Sequence, residues 1–395
     1  GGCAGSGRGV LSGGYASALL CAAAVLAVLL TCATRLGCRG RSSGSGPADL
    51  AASMAAVLVA EGCNLGFAPV IKHGHPALSR RRLPHVAQNY LRSDTLAAVN
   101  ARLIDAQAGV ATAQAWGGGQ VASVDGLRFV VPVRTLDAGP NPHYFGQGRG
   151  VTWLNAINDQ VSGIGAVVVT GTMRDSLHVA DVILNRDGGP APQMIATATA
   201  SYSDIVFGLF RLLGYQFSPR LADMPDQRLW RLTIPGGRAA DYGALNAVGT
   251  NKLSAGRIRV QWADMLRVVG SLHSGSVADY DLLRMLGRDS SPTPLGAAFA
   301  EYGRAAKTLH LLAMYDPDDE SYRRSIHVQL TVQESPHRMA RKIFYGQRGD
   351  IICYLKAGFL PVGATREEQA VNQDPVVEHF PSGARGLRTR GSGAG

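Results

Sequence analysis

The chain has 395 residues and a formal net charge of +10, from 39 basic and 29 acidic side chains, with a pI near 9.5. That length allows two or three domains and a sizeable core. The charge favours a polyanionic partner and says nothing of the fold, and a basic enzyme without nucleic acid stays open on charge alone. Six cysteines, four of them (Cys3, Cys21, Cys32, Cys38) in one N-terminal stretch, argue against a disulfide framework.

Residues 1–47 differ in composition from the rest of the chain. Tyr15 to Thr34 is uncharged and almost wholly apolar, flanked by Arg8 and by Arg35, Arg39 and Arg41. Alone, residues 15–34 would pass as a signal anchor or transmembrane helix. A displaced reading frame explains the Gly/Ser/Arg-rich flanks and the late first methionine, Met54, better.

Residues 48–116 read as helical. AASMAAVLVAEGCNLG places Met54, Val57, Leu58 and Ala60 at helical spacing. Lys72, His73, Arg80, Arg81 and Arg82 then form a basic cluster broken by Pro76 and Pro84. His73, His75 and His85 have no cysteine or acidic partner to complete a metal ligand set. A helix is expected from Ser93 to Gln114, ending at the Gly117-Gly118-Gly119 turn.

Residues 117–223 alternate strand and helix signals. GQVASVDGLRFVVPVRT has strand periodicity, and Asp125-Gly126 within it reads as a turn or strand edge. GRGVTWLNAINDQ and GIGAVVVTGT read as two more strands and SLHVADVILNR as a helix. GQGRG (146–150) is a weak phosphate-loop lookalike with no helix after it, so it reads as a hairpin turn. Met194–Thr197 is a short buried strand. Ser201 with Asp204 has capping-box spacing, and Val206, Leu209, Phe210 and Leu213 line one helix face before Gly214. A strand, turn, helix and strand in this order put the turn at the carboxyl edge of a sheet, where α/β folds keep their chemistry.

From 224 to 330 the pattern is mainly helical. Ile258, Trp262, Met265, Leu266 and Val269 are expected to share the inner face of one helix. Another helix opens near Glu301 and runs through Thr308 to Met314, before an acidic loop at 316–321. Residues 351–395 end in a Gly/Arg-rich tail with Pro375 and Pro381.

The phrase DIVFGLFRLLGYQFSPRLAD (204–223) closely resembles the catalytic region of the replicative, class II transposases of the Tn-three family. The resemblance implies an α/β, ribonuclease-H-like mixed sheet with flanking helices and an inserted helical subdomain. In domain terms it implies a core at 117–223, a helical insertion at 224–330 and a third-carboxylate helix at 331–350. It also implies DNA nicking and strand transfer by three carboxylates that hold Mg²⁺ or Mn²⁺.

The family's SADG or SSDG matches Ser123-Val124-Asp125-Gly126 and makes Asp125 the first carboxylate. Its TDTA is replaced here by Thr197-Ala198-Thr199-Ala200, so the second carboxylate is lost at Ala198. LTVQESPHRMAR offers Glu334 as the third, expected near a helix N-terminus, and Glu301-Tyr302-Gly303-Arg304 offers Glu301 as the alternative. Asp125 and Glu334 are then the metal ligands. Position 198 is expected within about 10 Å of Asp125, two inter-strand spacings.

Lys72, Arg80, Arg81, Arg82, Arg338, Arg341 and Lys342 are expected on DNA phosphates. The implied partner is double-stranded DNA, both transposon ends and target, with no small-molecule substrate, and self-association as a dimer stays open. The implied setting is the bacterial cytoplasm. A non-catalytic DNA-binding remnant and a membrane-anchored protein are the competing readings.

Overall fold

The computed structural model describes residues 47–132, 138–170, 178–198, 202–222, 224–232, 241–277, 279–287, 293–346 and 351. The apolar run at 15–34, Asp175 and Ser201 fall outside the described residues, as does the tail beyond 351. Two compact units divide the chain: residues 1–106 with 341–395, and residues 107–340.

In the first unit, α1 (Pro47–Gly62), α2 (Arg82–Tyr90) and α3 (Ser93–Ala108) enclose a small core of Met54, Val57, Leu83, Val86 and Val99. Ser53 is fully buried, its Oγ 2.7 Å from the carbonyl oxygens of both Asp49 and Ala77. The helix expected over 93–114 is two helices, because α3 stops at Ala108 and α4 runs Ala111–Trp116. Gly109 lies at the break, where its low helix propensity matters most. The Gln114 side chain donates to the orphaned Ala108 carbonyl at 2.9 Å.

The second unit is built on a mixed sheet. Its central strand β1 (Val121–Val130) runs antiparallel to β3 (Arg149–Asn158), and β3 in turn pairs with β4 (Gly163–Thr170). The short β2 (Gly139–Pro140) extends the β4 side, and α5 (Pro142–Phe145) links it to β3. On its other side β1 pairs in parallel with β5 (Met194–Thr197), which pairs in parallel with β6 (Gln216–Pro219). Three antiparallel strands followed by two parallel to the first make the ribonuclease-H-like order. Asp125-Gly126 makes no turn: Asp125 pairs with Asn155 and Gly126 with Leu154 in an unbroken ladder. An Asp-Gly pair turns a chain only where the flanking strands must reverse, and here the apolar run continues past it.

Side chains alternate across the sheet, and the two faces have different covers. One face carries Val124, Ile195 and Phe217 and receives α6 (Val179–Leu184) and α7 (Asp204–Leu212). Phe210 stacks on Phe217 with ring centroids 4.8 Å apart, and Phe207 meets the same ring edge-on at 5.1 Å. The helix cap is Ser203, two residues past the expected one, and its Oγ accepts from Val206 N–H at 3.4 Å, so α7 opens at Asp204.

After β6 come two short parallel strands, β7 (Trp230–Leu232) and β8 (Asn251–Leu253), with α8 (Leu245–Val248) between them. Three helices follow: α9 (Ala255–His273), α10 (Asp279–Leu286) and α11 (Pro294–Tyr315). On α9 the buried stripe is Met265, Val269 and Leu272, whereas Trp262 and Leu266 stay largely exposed. The buried arc is therefore narrower than the apolar arc and lies further along the helix. α11 crosses α7 backbone to backbone. A Cβ at Gly303 would stand on the Asp204 carbonyl, and one at Gly208 on the Phe299 carbonyl, so both positions require glycine.

The last helix, α12 (Ser321–Phe344), covers the opposite face of the sheet. Ile326 packs there with Met194 and Ala196. Pro336 lies inside α12 without ending it. A proline costs a helix about 3 kcal/mol through its lost N–H and its ring clash. Here Gln329, Gln333 and His337, buried on both sides of it in sequence, hold the helix to the sheet. Glu334 accordingly sits in the interior of a 24-residue helix, away from any N-terminus.

Candidate active site

The face beneath α12 is polar at its centre. Ser123 and Asp125 of β1 share it with Asn155 and Ile157 of β3, their register partners. Gln329, Gln333 and His337 follow one another every fourth residue on α12, so one stripe of the helix meets these strands. Ser123, Asn155, Gln329, Gln333 and His337 are all buried, and their polar atoms are joined. Gln329 Nε2 donates to the Ile157 carbonyl at 2.8 Å and to Ser123 Oγ at 3.1 Å. Ser123 Oγ donates to Gln333 Oε1 at 2.7 Å, and Gln333 Nε2 donates to Asn155 Oδ1 at 3.0 Å. His337 Nε2 completes the row, 2.7 Å from the same Asn155 oxygen.

At the end of this row is an acidic pocket. Asp125 Oδ2 lies 3.7 Å from His337 Nδ1. Asp125, Glu334 and His337 each offer a ligand atom, and these atoms fall within 4.8 Å of one another. The Asp125 side chain is 29% exposed and His337 is fully buried, while Glu334 is exposed, so the group opens to solvent on one side. Two carboxylates and an imidazole in one place suit a divalent ion, since the oxygens match Mg²⁺ or Mn²⁺ and the nitrogen also matches Mn²⁺.

Position 198 borders this group. The parallel register pairs Val124 with Thr197, so the next residues, Asp125 and Ala198, follow side by side on strands about 4.8 Å apart. Ala196 is on the α12 face, and Ala198 is the first residue after β5.

Glu301 is elsewhere. It is buried in α11, where Arg304 Nη1 contacts its Oε1 at 3.1 Å and Arg257 Nη1 at 3.3 Å. The Ser254 N–H donates to its Oε2 at 3.1 Å, just ahead of α9. Asp204 is likewise held, by Arg304 Nε at 3.0 Å and Lys307 Nζ at 3.8 Å. Glu301 joins α11 to α9, Asp204 joins α7 to α11, and neither belongs to the Asp125 group.

A second polar tie joins α11, α12 and β6. His310 Nδ1 accepts from Tyr322 OH at 2.6 Å, and its Nε2 donates to the Pro219 carbonyl at 3.1 Å. Tyr322 OH also meets Ser218 Oγ at 2.7 Å. Burial first, with lesser help from the Lys307 charge, lowers His310 to about 4 against the opposing pull of the Pro219 carbonyl. Burial likewise raises the Tyr322 phenol above its ordinary range.

Of the expected phosphate-binding residues, Lys72, Arg80, Arg81, Arg338, Arg341 and Lys342 are exposed. Arg82 is half-buried and its Nε donates to Ser53 Oγ at 2.8 Å. Arg341 and Lys342 lie in the last turn of α12, where cations also complement the helix dipole. Sequence reasoning missed His337 and Asn155. The available signal was the Glu334-x-x-His337 spacing, which puts both side chains on one side of a helix.

Among the described residues, no helix is long and apolar enough to cross a membrane. The family model of the Tn3 transposase DDE domain matches residues 38–355. The transposase for transposon Tn4556 of Streptomyces fradiae is 54% identical over 303 residues, 77% of this chain and 33% of the relative. The transposase for transposon gamma-delta of Escherichia coli is 49% identical over 309 residues, 78% of this chain and 30% of its own length. A more distant relative, the transposase for transposon Tn1546 of Enterococcus faecium, is 31% identical over 296 residues, 75% of this chain and 29% of that protein. The chain spans about a third of the length of these curated relatives. By the match over most of its length, it belongs to the Tn3 transposase DDE domain family.

Proposed function

We propose that the chain carries the polynucleotidyl-transfer centre of a replicative DNA transposase, weakened in this copy by Ala198. The observation that carries this reading is the approach of Asp125 and Glu334 from β1 and α12, beside position 198 in the parallel register. The relatives' names, each a transposase of a named transposon, support it.

Asp125 and Glu334 would hold the Mg²⁺ or Mn²⁺ ions, with Asp125 fixed by a continuous strand and Glu334 by the middle of a helix. A bound ion supplies an activated water or 3′-hydroxyl and offsets charge on the leaving oxygen. Lys72, Arg80, Arg81, Arg338, Arg341 and Lys342 would meet DNA phosphates, which orient the duplex without reading its sequence. Transposon ends and target duplex are the proposed substrates, cointegrate formation the outcome and the bacterial cytoplasm the setting. Pairing of two copies would bring both ends together.

The resemblance gives position 198 a carboxylate, and with Ala198 there the ions would be held by Asp125 and Glu334 without it. Losing several kcal/mol of transition-state stabilisation slows such a step on the order of 10³-fold. That loss favours a second reading, a remnant that binds DNA and does not cut it.

One experiment separates the two readings. The chain is joined to the regions of its Tn4556 relative that lie outside the match, and cointegrates are counted with and without Ala198→Asp. Recovery on the order of 10³-fold supports the enzyme reading, and equal low counts favour the remnant. A salt titration of duplex binding tests the phosphate contacts. The log–log slope falls by about 0.9 for each contact removed, whereas Arg82→Ala leaves the slope alone and lowers stability through Ser53. A slope unchanged by Arg80→Ala and Arg81→Ala together contradicts the assignment.

A further inference from the structure

The polar row under α12 has a direction, and the direction ends on the candidate site. It starts at the Ile157 main-chain carbonyl, which can only accept. Gln329 Nε2 therefore directs its two protons to that carbonyl and to Ser123 Oγ. Ser123, already accepting, donates its one proton to Gln333 Oε1. That fixes the Gln333 amide with Nε2 towards Asn155 Oδ1. The Asn155 oxygen accepts, so the proton between it and His337 belongs to Nε2. His337 Nδ1 faces Asp125 Oδ2, 3.7 Å away, and the Glu334 carboxylate lies within 4.8 Å. These three atoms stand close enough together for one divalent ion to meet them all.

We propose that His337 Nδ1 is a third protein ligand of the divalent-ion site formed with Asp125 and Glu334, and that it shifts the site's preference from Mg²⁺ towards Mn²⁺. The inference rests on the proposed function, in which the two carboxylates hold metal. Its own support is the ligand geometry. A metal-binding imidazole donates its other N–H to an oxygen that fixes the ring, as Asn155 does here. Glu334 and His337 have the Glu-x-x-His spacing by which one helix gives two ligands to one ion. An ion with ligands at about 2.1 Å spans about 4.2 Å between opposite ligand atoms. The two carboxylates, both reached by solvent, need only small rotations to close on an ion, while the ring stays fixed. Imidazole suits Mn²⁺ and later metals better than Mg²⁺, which prefers oxygen.

The test loads the full chain with Mn²⁺ and records electron spin-echo modulation, which detects nitrogen coordinated to the ion. Expected is a nitrogen modulation in the native chain that disappears in His337→Gln. Asn155→Ala should weaken Mn²⁺ binding about 10–100-fold, the usual cost of losing the group that orients a ligand. Histidine labelled with ¹⁵N in the native chain gives the same readout without a substitution, should His337→Gln fail to fold. Mn²⁺ bound without nitrogen modulation, and released by Asp125→Asn, overturns the ligand role and leaves the carboxylate reading standing. No Mn²⁺ binding at all in the folded native chain overturns both.

Discussion

The two faces of the central sheet are covered by different chemistry. Under α6 and α7 the contacts are apolar, with Phe207 and Phe210 closing on Phe217 and Ile195 and Val124 beneath. Under α12 the middle of the face is a hydrogen-bonded row, with apolar packing only at the Met194, Ala196 and Ile326 end. Apolar contacts are non-directional and tolerate rearrangement. A row of amides, hydroxyl and imidazole allows one arrangement of donors and acceptors. The first face therefore contributes stability, and the second fixes where Asp125, Glu334 and His337 stand relative to one another.

The sharpest break of this contrast is on the apolar face. Phe210→Ala should cost about 3–5 kcal/mol, the usual loss on removing a buried aromatic ring, seen as a lower urea midpoint with the Mn²⁺ affinity of the remaining folded protein unchanged. Next in size is a pH effect from His310. Its folded value, about 4, lies below the unfolded value of 6.5, so the unfolded chain binds the proton more tightly. The stabilising contribution is full above about pH 6.5 and is lost as pH falls towards 4, by up to about 3 kcal/mol. His310→Gln should flatten urea stability over that window. An equal pH slope in both proteins would assign the effect to other groups.

Gln333→Met breaks the polar row while keeping volume. It leaves Ser123 and Asn155 each short of a partner, at a cost of about 1–3 kcal/mol, and it frees the His337 ring. Stability falls less than in Phe210→Ala, but metal affinity falls with it. If Gln333→Met left Mn²⁺ affinity untouched, the contrast between the two faces would fail, because the row would then be merely structural.

The apolar face was the more legible of the two in the sequence. Period-two alternation marks β1 and helical spacing marks α7, because burying apolar side chains imposes that period on the chain itself. The polar row leaves no such trace: Gln329, Gln333 and His337 look like an exposed helix face until a strand is set against them. Asp125 reads locally as a turn and Glu334 as near a helix N-terminus, yet tertiary packing keeps both within continuous elements. Glu301 and Glu334 are equally acidic in sequence. The difference is that Arg257 and Arg304 close on Glu301, and Arg257 comes from a helix packed beside it only in the fold.

The smallest expected effect, and the one most specific to the site, is that of Ala198→Asp. Position 198 follows β5 directly, where the chain leaves the sheet and an aspartate is well tolerated. On the α12 face it would stand beside Asp125, since Thr197 is the parallel partner of Val124. A third carboxylate adds negative charge to an acidic group, so without metal the variant should be slightly less stable than the native chain. With a divalent ion the sign reverses. Binding to the folded state alone stabilises by RT ln(1 + [L]/Kd), about 1.4 kcal/mol at ten times Kd. The measurement is the thermal midpoint across a Mg²⁺ series, because the added oxygen should restore preference for the harder ion. Adding Glu334→Gln to Ala198→Asp should abolish the Mg²⁺-dependent gain while the protein stays folded. If the single and double variants gain alike, Glu334 holds no metal, and the polar face of the sheet positions a histidine and one aspartate only.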